Sequence, residues 1–314
     1  MNLLVTGATG FVGRSLCAEA AMRGHGVRRA VRAATAAAGD RVVGDIDVRT
    51  DWHAALRGVD MVIHLAARVH VMHETDADPL AAFRAVNAAG TENLARQAAA
   101  EGVKRLVYVS SIKVNGESTA AGQAFREDDT PHPQDPYGFS KWEAEQGLHR
   151  IAAETGLEVV IVRPPLVYGP GVKGNFAQML HVLQRGIPLP LASVHNRRSL
   201  LYLGNLVDAL LLCATHPAAA GRTYLVSDGE DVSTADLLRW LGEALGRPAR
   251  LFPCPSGLLM GVAAISGRRG QAERLLGSLR IDDARIRHEL GWCPPYTLQH
   301  GLQATAGEYR HTHP

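Results

Sequence analysis

A glycine-rich segment near the start of the chain, TGATGFVG at residues 6–13, constrains the fold most. It follows the short apolar run NLLVTG, which predicts a buried strand, and it opens a helical segment from about residue 12 to 23. In this setting Gly7 permits a tight turn, Gly10 lets backbone approach a pyrophosphate, and Gly13 lets the helix pack on its strand. The helix N-terminus then directs free N–H groups at the phosphates. The segment therefore predicts a dinucleotide site; the alternative is a glycine-rich turn without a ligand.

Short apolar runs alternate with helical segments through the first half of the chain. The predicted strands are NLLVTG, HGVRRAV, RVVGDI, VDMVIHLAA and KRLVYVSS, with LEVVIVRPP after them. Helices are predicted between them, including residues 79–101 and 137–155. This alternation is typical of a parallel sheet covered on both faces. We therefore predict an α/β fold, a Rossmann doubly wound parallel sheet.

The sequence pattern changes after about Pro164. Prolines and predicted loops become more frequent there, and single predicted strands such as RTYLVSDG and ARLFP separate the helices. We predict a dinucleotide-binding Rossmann domain at residues 1–165. A smaller C-terminal α/β substrate lobe is predicted at residues 166–314, with some segments returning to the main sheet.

Composition excludes several classes of protein. The formal net charge is only +2 and no basic stripe is concentrated, which argues against nucleic-acid binding. The four cysteines are scattered without metal-ligand or redox spacing, and the N-terminus has no signal-peptide layout. We therefore expect reduced cysteines and a cytoplasmic enzyme. The histidines of HVMH, residues 70–73, have no third ligand at credible spacing, so no metal site is predicted.

No apolar run reaches the ~20 residues that a membrane helix needs, so no integral membrane segment is predicted. The apolar stretch GLLMGVAAISG at residues 257–267 is too short for one. We expect it to pack in a core or an interface, and peripheral contact with a membrane stays open.

The end of the second strand bears on the choice of dinucleotide. NAD-binding sites usually place an acid there, whereas an arginine suits the 2′-phosphate of NADP. This strand ends AVRAA, with Arg32 at the expected place and Arg28 and Arg29 nearby. The pattern favours NADP(H) over NAD(H), unless the arginines are merely solvated. Asp45, after the third strand, could contact the adenine amine or cap a turn.

The sequence YGFSK places Tyr137 and Lys141 one helical turn apart, hence on one helix face. A nearby ammonium favours the phenolate and lowers the tyrosine pKa. Such a phenol can exchange a proton with a hydroxyl or ketone while a nicotinamide exchanges the hydride. Ser111 stands 26 residues upstream at the carboxyl end of a strand, where open α/β sheets bind ligands, and its hydroxyl can bond the same substrate oxygen.

TGATGFVG, HLAA at 64–67, NAAGTENL at 87–94, VSSIKVNG and YGFSK occur in a characteristic order. With them the chain resembles the extended short-chain dehydrogenases/reductases, the NAD-dependent epimerase/dehydratase family. The stretches SSIKVNGE and VRPPLVYGPGVKGNF resemble bacterial UDP-sugar 4-epimerases and 4-keto-6-deoxy-sugar 4-reductases of O-antigen and lipopolysaccharide biosynthesis.

The resemblance implies three catalytic residues, Ser111, Tyr137 and Lys141, with Asn87 in a supporting role. The implied cofactor-binding residues are Gly7, Thr9, Gly10, Phe11, Val12, Arg32, Asp45, Ile46, Leu65, Ala66, Ala67, Tyr137, Lys141 and Pro164. The implied substrate-binding residues are Ser111, Asn175, Leu189 and Arg198. In that set Asn175 would meet a phosphate or uracil, backbone near Leu189 the base, and Arg198 the diphosphate. The family also implies a homodimer.

The reaction is narrowed by residues that depart from family patterns. Dehydratases carry an acidic pair where this chain has Ile112 and Lys113, which disfavours dehydration. Galactose-type epimerases have an aromatic residue and an asparagine in the corresponding stretch, where this chain has Pro164, Pro165 and Leu166. We therefore predict a reductase acting at C4 of a UDP-4-keto-6-deoxyhexose, N-acetylated or not. The alternative is a UDP-sugar 4-epimerase with tightly bound NAD, followed by a reductase of non-nucleotide ketones or a non-catalytic relative.

Overall fold

The computed structural model describes residues 1–34, 39–69, 78–267 and 269–313. His70, Met72 and His73 therefore lie outside the described residues. Within those ranges, no helix combines the length and the apolarity that crossing a bilayer requires, and no cluster of metal-binding side chains is found.

Among the described residues, seven strands form one sheet in the order β3-β2-β1-β4-β5-β6-β9, and every neighbouring pair is parallel. These strands are β1 Asn2–Thr6, β2 Gly26–Val31, β3 Asp40–Val42, β4 Met61–His64, β5 Arg105–Val109, β6 Glu158–Arg163 and β9 Thr223–Leu225. The predicted α/β doubly wound parallel sheet is confirmed. Its carboxyl edge, where β1, β4, β5 and β6 end, carries the predicted cofactor and catalytic residues.

Three further strands of the described ranges form a small sheet in which β8 lies between β7 and β10. They are β7 Leu166–Tyr168, β8 Arg198–Tyr202 and β10 Asp231–Val232. The predicted strand in ARLFP makes only an isolated bridge, between Leu189 and Leu251. Because β9 joins the large sheet, the segment after residue 166 does contribute to it, while the domain boundary at 165/166 stays a prediction.

In the part of the chain that the structure describes, twelve α-helices surround the sheets. They are α1 Phe11–Met22, α2 His53–Leu56, α3 Pro79–Arg84, α4 Gly90–Ala100, α5 Pro136–Thr155, α6 Gly174–Gln184, α7 Leu203–Thr215, α8 Thr234–Ala244, α9 Ser256–Ile265, α10 Arg269–Leu276, α11 Ala284–Leu290 and α12 Leu298–Thr312. Helix α5 lies within a residue of its predicted bounds: Asp135 caps its N-terminus, Pro136 follows, and Gly156 ends it in a left-handed conformation.

The core lies on both faces of the large sheet. Leu3 and Val5 of β1 pack with helices α1 and α7 on one face. Leu4 packs with helices α2, α4 and α5 on the other face. A strand that is buried on both faces needs apolar residues without alternation, and this explains the continuous LLV run of β1. The two layers of helices leave the carboxyl edge of the sheet open for ligands.

Candidate active site

The glycine loop that joins β1 to α1 packs tightly against neighbouring backbone atoms. Gly7 has φ +64°, and a Cβ there would lie 2.9 Å from the backbone nitrogen of Ala66. A Cβ on Gly13 would lie 2.2 Å from the Gly7 carbonyl oxygen. The Gly10 N–H donates to that same oxygen at 2.9 Å. Gly7 and Gly13 can lie this close to neighbouring backbone only because they have no side chains, as the sequence predicts.

The N-terminus of α1 fits an anionic group. Gly10 occupies the N-cap position without a side chain to bond the first N–H groups, and the first turn carries no acid. These N–H groups and the positive end of the helix dipole suit a pyrophosphate. Thr9 is exposed beside them, and Phe11 and Val12 begin the helix half-buried. The loop therefore fits the predicted dinucleotide.

A buried hydrogen-bond chain, which sequence reasoning missed, supports the loop after β4. His64 is held between Thr6, at 2.6 Å from Nδ1, and Thr91, at 2.9 Å from Nε2. The Thr6 hydroxyl also accepts from the N–H groups of Leu65 and Ala66. Burial lowers the pKa of His64 to about 3, so the ring is neutral. This chain fixes the predicted cofactor-binding backbone of HLAA, which ends at the half-buried Ala67.

The arginines at the end of β2 have different partners. Arg28 donates to the carbonyl oxygens of Ala55 and Arg57, both at 2.7 Å. Arg29 pairs with Asp40 at 2.6 Å. Arg32 is 84% exposed and lies 4.0 Å from Asp45, which is 90% exposed. The sequence has no acid at the end of β2. The fold places Asp45, from the loop after β3, beside that end.

Ser111, Tyr137 and Lys141 come together at the carboxyl edge of the sheet. Ser111 lies two residues after the end of β5 and caps a 3₁₀ turn, accepting from the Lys113 N–H at 3.2 Å. Tyr137 and Lys141 stand on one face of α5, and the Lys141 ammonium lies 5.8 Å from the centre of the Tyr137 ring. Phe83 covers the phenol edge-on, with ring centres 6.2 Å apart.

Burial controls the proton affinities of this group. It raises the pKa of the Tyr137 phenol, with Asp135 adding to the rise, while a hydrogen bond from Ser111 lowers it. Burial lowers the pKa of Lys141 to about 7, against the opposing effect of Glu145. The Lys141 ammonium donates to the Val109 carbonyl at 2.8 Å and lies over the Tyr108 ring. The serine hydroxyl is thus the neighbour that favours the phenolate here.

A second group that the sequence did not single out lies one turn beyond Lys141. Glu145 is buried and accepts from the Ser110 hydroxyl at 2.5 Å and from Arg163 Nε at 2.9 Å. Arg163 ends β6 and also donates to Asn115 at 3.0 Å. Because Ser110 precedes Ser111, this network fixes the backbone that carries the serine. Partners 18 and 35 residues apart give no local signal in the sequence.

Lys113 occupies one of the positions where dehydratases carry acids. Its ammonium bonds Glu117 at 2.9 Å and also the carboxylate of Asp135. Asp135 in turn accepts from the Gly138 N–H at 2.7 Å as the cap of α5. Lys113 therefore ties the turn after Ser111 to the helix end that carries Tyr137.

The helix predicted at 79–101 is interrupted by a π-helical turn, Ala85–Ala89. Its wider winding presents the buried Asn87 to two neighbours. The amide bonds both backbone groups of Arg68, at 2.8 and 3.0 Å, and donates to the Ser140 hydroxyl at 2.9 Å. Asn87 thus links the segment after β4 to α5, consistent with the expected supporting role.

The remaining predicted residues are more dispersed. Ile46 is half-buried, and a Cβ on Gly90 would lie 2.7 Å from it. The Pro164 carbonyl accepts from the Ile112 N–H at 3.0 Å, beside Ser111. Asn175 is exposed at the start of α6. Leu189 pairs with the backbone of residues 250–252. Arg198 donates to the carbonyl oxygens of Arg274 and Gly277, at 2.7 and 3.0 Å.

Comparison with known proteins bears on these assignments. Residues 3–227 match the family described as "NAD dependent epimerase/dehydratase family". A Vibrio cholerae protein named UDP-glucose 4-epimerase is 45% identical over 309 residues, which cover 97% of this chain and 94% of that protein. An Escherichia coli O157:H7 N-acetyl-alpha-D-glucosaminyl-diphospho-ditrans,octacis-undecaprenol 4-epimerase is 28% identical, covering 99% and 96%. The solved structure of MoeE5 with UDP-glucuronic acid and NAD superposes with a TM-score of 0.77 at 25% identity, covering 99% and 100%.

The prediction of NADP(H) is wrong. The matched family is described as NAD dependent, and MoeE5 was solved with NAD. The structure gives a physical reason: Arg28 and Arg29 bond groups of the protein, and the Asp45 carboxylate beside Arg32 offsets its charge. A 2′-phosphate at this place would meet that carboxylate as a like charge.

Proposed function

Because the chain belongs to the NAD dependent epimerase/dehydratase family, we propose that it is a UDP-sugar 4-epimerase that keeps its NAD. The observation that carries this proposal is the 45% identity, over nearly the full length of both chains, to the Vibrio cholerae UDP-glucose 4-epimerase. The reductase of a UDP-4-keto-6-deoxyhexose, our first hypothesis from the sequence, gains no support from these relatives. The epimerase alternative fits them better.

The residues at the carboxyl edge of the sheet support proton transfer at one sugar hydroxyl. NAD, when bound, supplies a hydride acceptor that can return the hydride. Tyr137 takes the proton of the C4 hydroxyl and later returns it, while Ser111 donates a hydrogen bond to the same oxygen. The single hydroxyl proton of Ser111 bonds the phenol before substrate binds, which lowers the phenol pKa, and moves to the substrate oxygen once the sugar is in place.

Lys141 supplies positive charge on the same helix face, and Asn87 and Lys113 hold the segments that carry the reacting groups. The glycine loop, Leu65 to Ala67, Asp45 and Pro164 would hold the cofactor. Arg198 and Asn175 would meet the nucleotide. Epimerisation consumes no reductant, so this assignment requires no exchange of cofactor between turnovers.

The test is to incubate the purified protein with UDP-glucose, and separately with UDP-N-acetylglucosamine, and to follow the C4 epimer by proton NMR. We expect the C4 epimer to form. The absorbance of reduced nicotinamide after the reaction should equal its value before the reaction. Tyr137→Phe should reduce the rate by at least about a hundredfold, because it removes the proton-transfer group. Tyr296→Phe, which removes an exposed tyrosine hydroxyl, is the matched control and should leave the rate unchanged.

The competing reductase hypothesis gives a different result. If no epimer forms, and a 4-keto UDP-sugar is reduced with stoichiometric consumption of reduced nicotinamide, the proposed epimerase function is excluded.

A further inference from the structure

Helix α9, with sequence SGLLMGVAAI, is apolar on every side yet has no buried residue. Leu258, Val262 and Ile265 are 63%, 66% and 91% exposed. They follow a spacing of four and three residues and so share one helix face. A helix that is apolar all round is normally buried in a core or in a membrane. The exposed face therefore indicates an apolar partner outside the monomer.

The surroundings of α9 are basic. Residues 247–280 contain six arginines and one acid, Glu273, in a chain whose net charge is only +2. Two of these arginines are paired, Arg269 with Glu273 and Arg280 with Asp231. Arg247 and Arg250, which precede the helix, are exposed. Arg269 and Arg274 lie on α10, which follows the helix closely and also has no buried residue. An apolar face flanked by arginines matches a surface that is anionic outside and apolar beneath.

The length of α9 limits how it can meet a bilayer. Ten residues span about 15 Å, half of the hydrocarbon thickness, so the helix can lie in the interface but cannot cross. A second copy of this chain fits the same face less well, because a symmetric contact would bring the two sets of arginines together. Leu259 packs against the core of the small sheet and its helices, so the exposed face of Leu258, Val262 and Ile265 is the part of α9 that lipid would cover.

The α9–α10 hairpin is joined at both ends to residues predicted to bind substrate. Before α9, the Leu189 N–H donates to the Arg250 carbonyl at 2.8 Å, and the Phe252 N–H donates back to Leu189 at 3.0 Å. At the end of α10, Arg198 donates to the carbonyls of Arg274 and Gly277. A surface that binds the hairpin would therefore lie next to the predicted nucleotide-binding residues.

We propose that the hairpin of α9 and α10, Ser256–Ile265 and Arg269–Leu276, is a docking element for anionic lipid bilayers that holds the enzyme at the membrane surface. The apolar face of α9 enters the interface, and the flanking arginines contact lipid phosphates. This docking does not depend on which sugar the enzyme uses.

The test is sedimentation of the full chain with vesicles of phosphatidylcholine alone or mixed with phosphatidylglycerol. We expect binding to the mixed vesicles that falls as salt is raised. Leu258→Gln/Val262→Gln/Ile265→Gln should weaken it at least about tenfold, since three apolar side chains leave the interface. Arg247→Gln/Arg250→Gln should weaken it about fivefold per arginine. Met22→Gln/Val42→Gln, which changes two exposed apolar residues elsewhere, should bind as the wild type does.

Each alternative occupant has its own result, and each overturns the proposal. Concentration-dependent self-association that the triple variant abolishes, without vesicle binding, assigns the face to a second copy. A raised KM for soluble substrate in the triple variant, again without vesicle binding, assigns it to a cover of the active site. Equal sedimentation of wild type and triple variant shows that the face does not contact lipid. Circular dichroism of the variants confirms that they fold.

Discussion

At the scale of single residues, Lys141 shows how burial alters a group that the sequence identifies. The ammonium is almost fully buried, against the Val109 carbonyl and the Tyr108 ring. Its pKa is about 7, whereas a solvated lysine has a pKa near ~10.4. Its charge therefore changes near neutral pH, which the spacing of YGFSK does not reveal.

This burial predicts a pH dependence of stability. Between about pH 7 and about pH 10.5 the unfolded chain binds more protons at this site than the folded chain does, so the contribution of Lys141 to the unfolding free energy rises with pH. Below that window both states are protonated and the cost of burial is constant. The unfolding free energy of the wild type minus that of Lys141→Met should therefore rise by on the order of a few kcal/mol between about pH 7 and about pH 10.5.

Urea unfolding of both proteins at about pH 7 and about pH 10 measures this change. A difference between the two proteins that is the same at both pH values would show that the ammonium is not desolvated in the fold.

At the scale of elements, the turn from β1 to α1 depends on the absence of one side chain. A Cβ on Gly13 would lie 2.2 Å from the Gly7 carbonyl and 2.7 Å from the Ala8 Cα. Both obstacles are backbone atoms of the predicted phosphate-binding turn, so the helix must move away from the strand to relieve the contact. The turn and the packing of α1 are therefore coupled.

We predict that Gly13→Ala lowers stability by about 1–3 kcal/mol and weakens NAD binding by at least about tenfold, because the turn itself must shift. Isothermal titration with NAD and urea unfolding measure the two effects. Gly307→Ala in α12, where a Cβ would meet nothing within 4 Å, is the control and should stabilise the protein slightly. If NAD binding is unchanged in Gly13→Ala, the loop is not the pyrophosphate site.

At the scale of the whole molecule, Arg105 joins the large sheet to a helix from the later half of the chain. It is 2% exposed and pairs with Glu158 of the neighbouring strand at 2.6 Å. Its Nη1 donates to the carbonyls of Cys213, Ala214 and His216, at 3.0, 3.1 and 2.8 Å. A cation at the C-terminus of α7 also complements the helix dipole.

Arg105→Leu should therefore lower the unfolding free energy by about 3 kcal/mol or more, because it leaves several buried carbonyls and Glu158 without their donor. Arg96→Leu, which breaks exposed pairs with Glu92 and Glu154, should cost less than about 1 kcal/mol. Thermal unfolding of the three proteins compares the two substitutions. If both substitutions lower the unfolding free energy by similar amounts, the buried contacts of Arg105 stabilise the fold no more than an exposed ion pair does.

The homodimer and the boundary at 165/166 stay predictions at this scale. The resemblance assigns the dimer contact to the helical segments near residues 79–101 and 137–155, which within one chain are joined by the hydrogen bond from Asn87 to Ser140. Size-exclusion chromatography with light scattering would decide the oligomeric state.

The parallel α/β sheet, the glycine turn and the shared helix face of Tyr137 and Lys141 can be predicted from the sequence, because each depends on residues that lie close together in the chain. Periodicity, turn chemistry and the pitch of a helix act over a few positions. The fold alone shows which acid stands beside Arg32, which partners surround Glu145 and Arg163, and that one face of α9 is exposed. Those depend on contacts between residues far apart in the chain, and the environment they create sets charge, proton affinity and exposure.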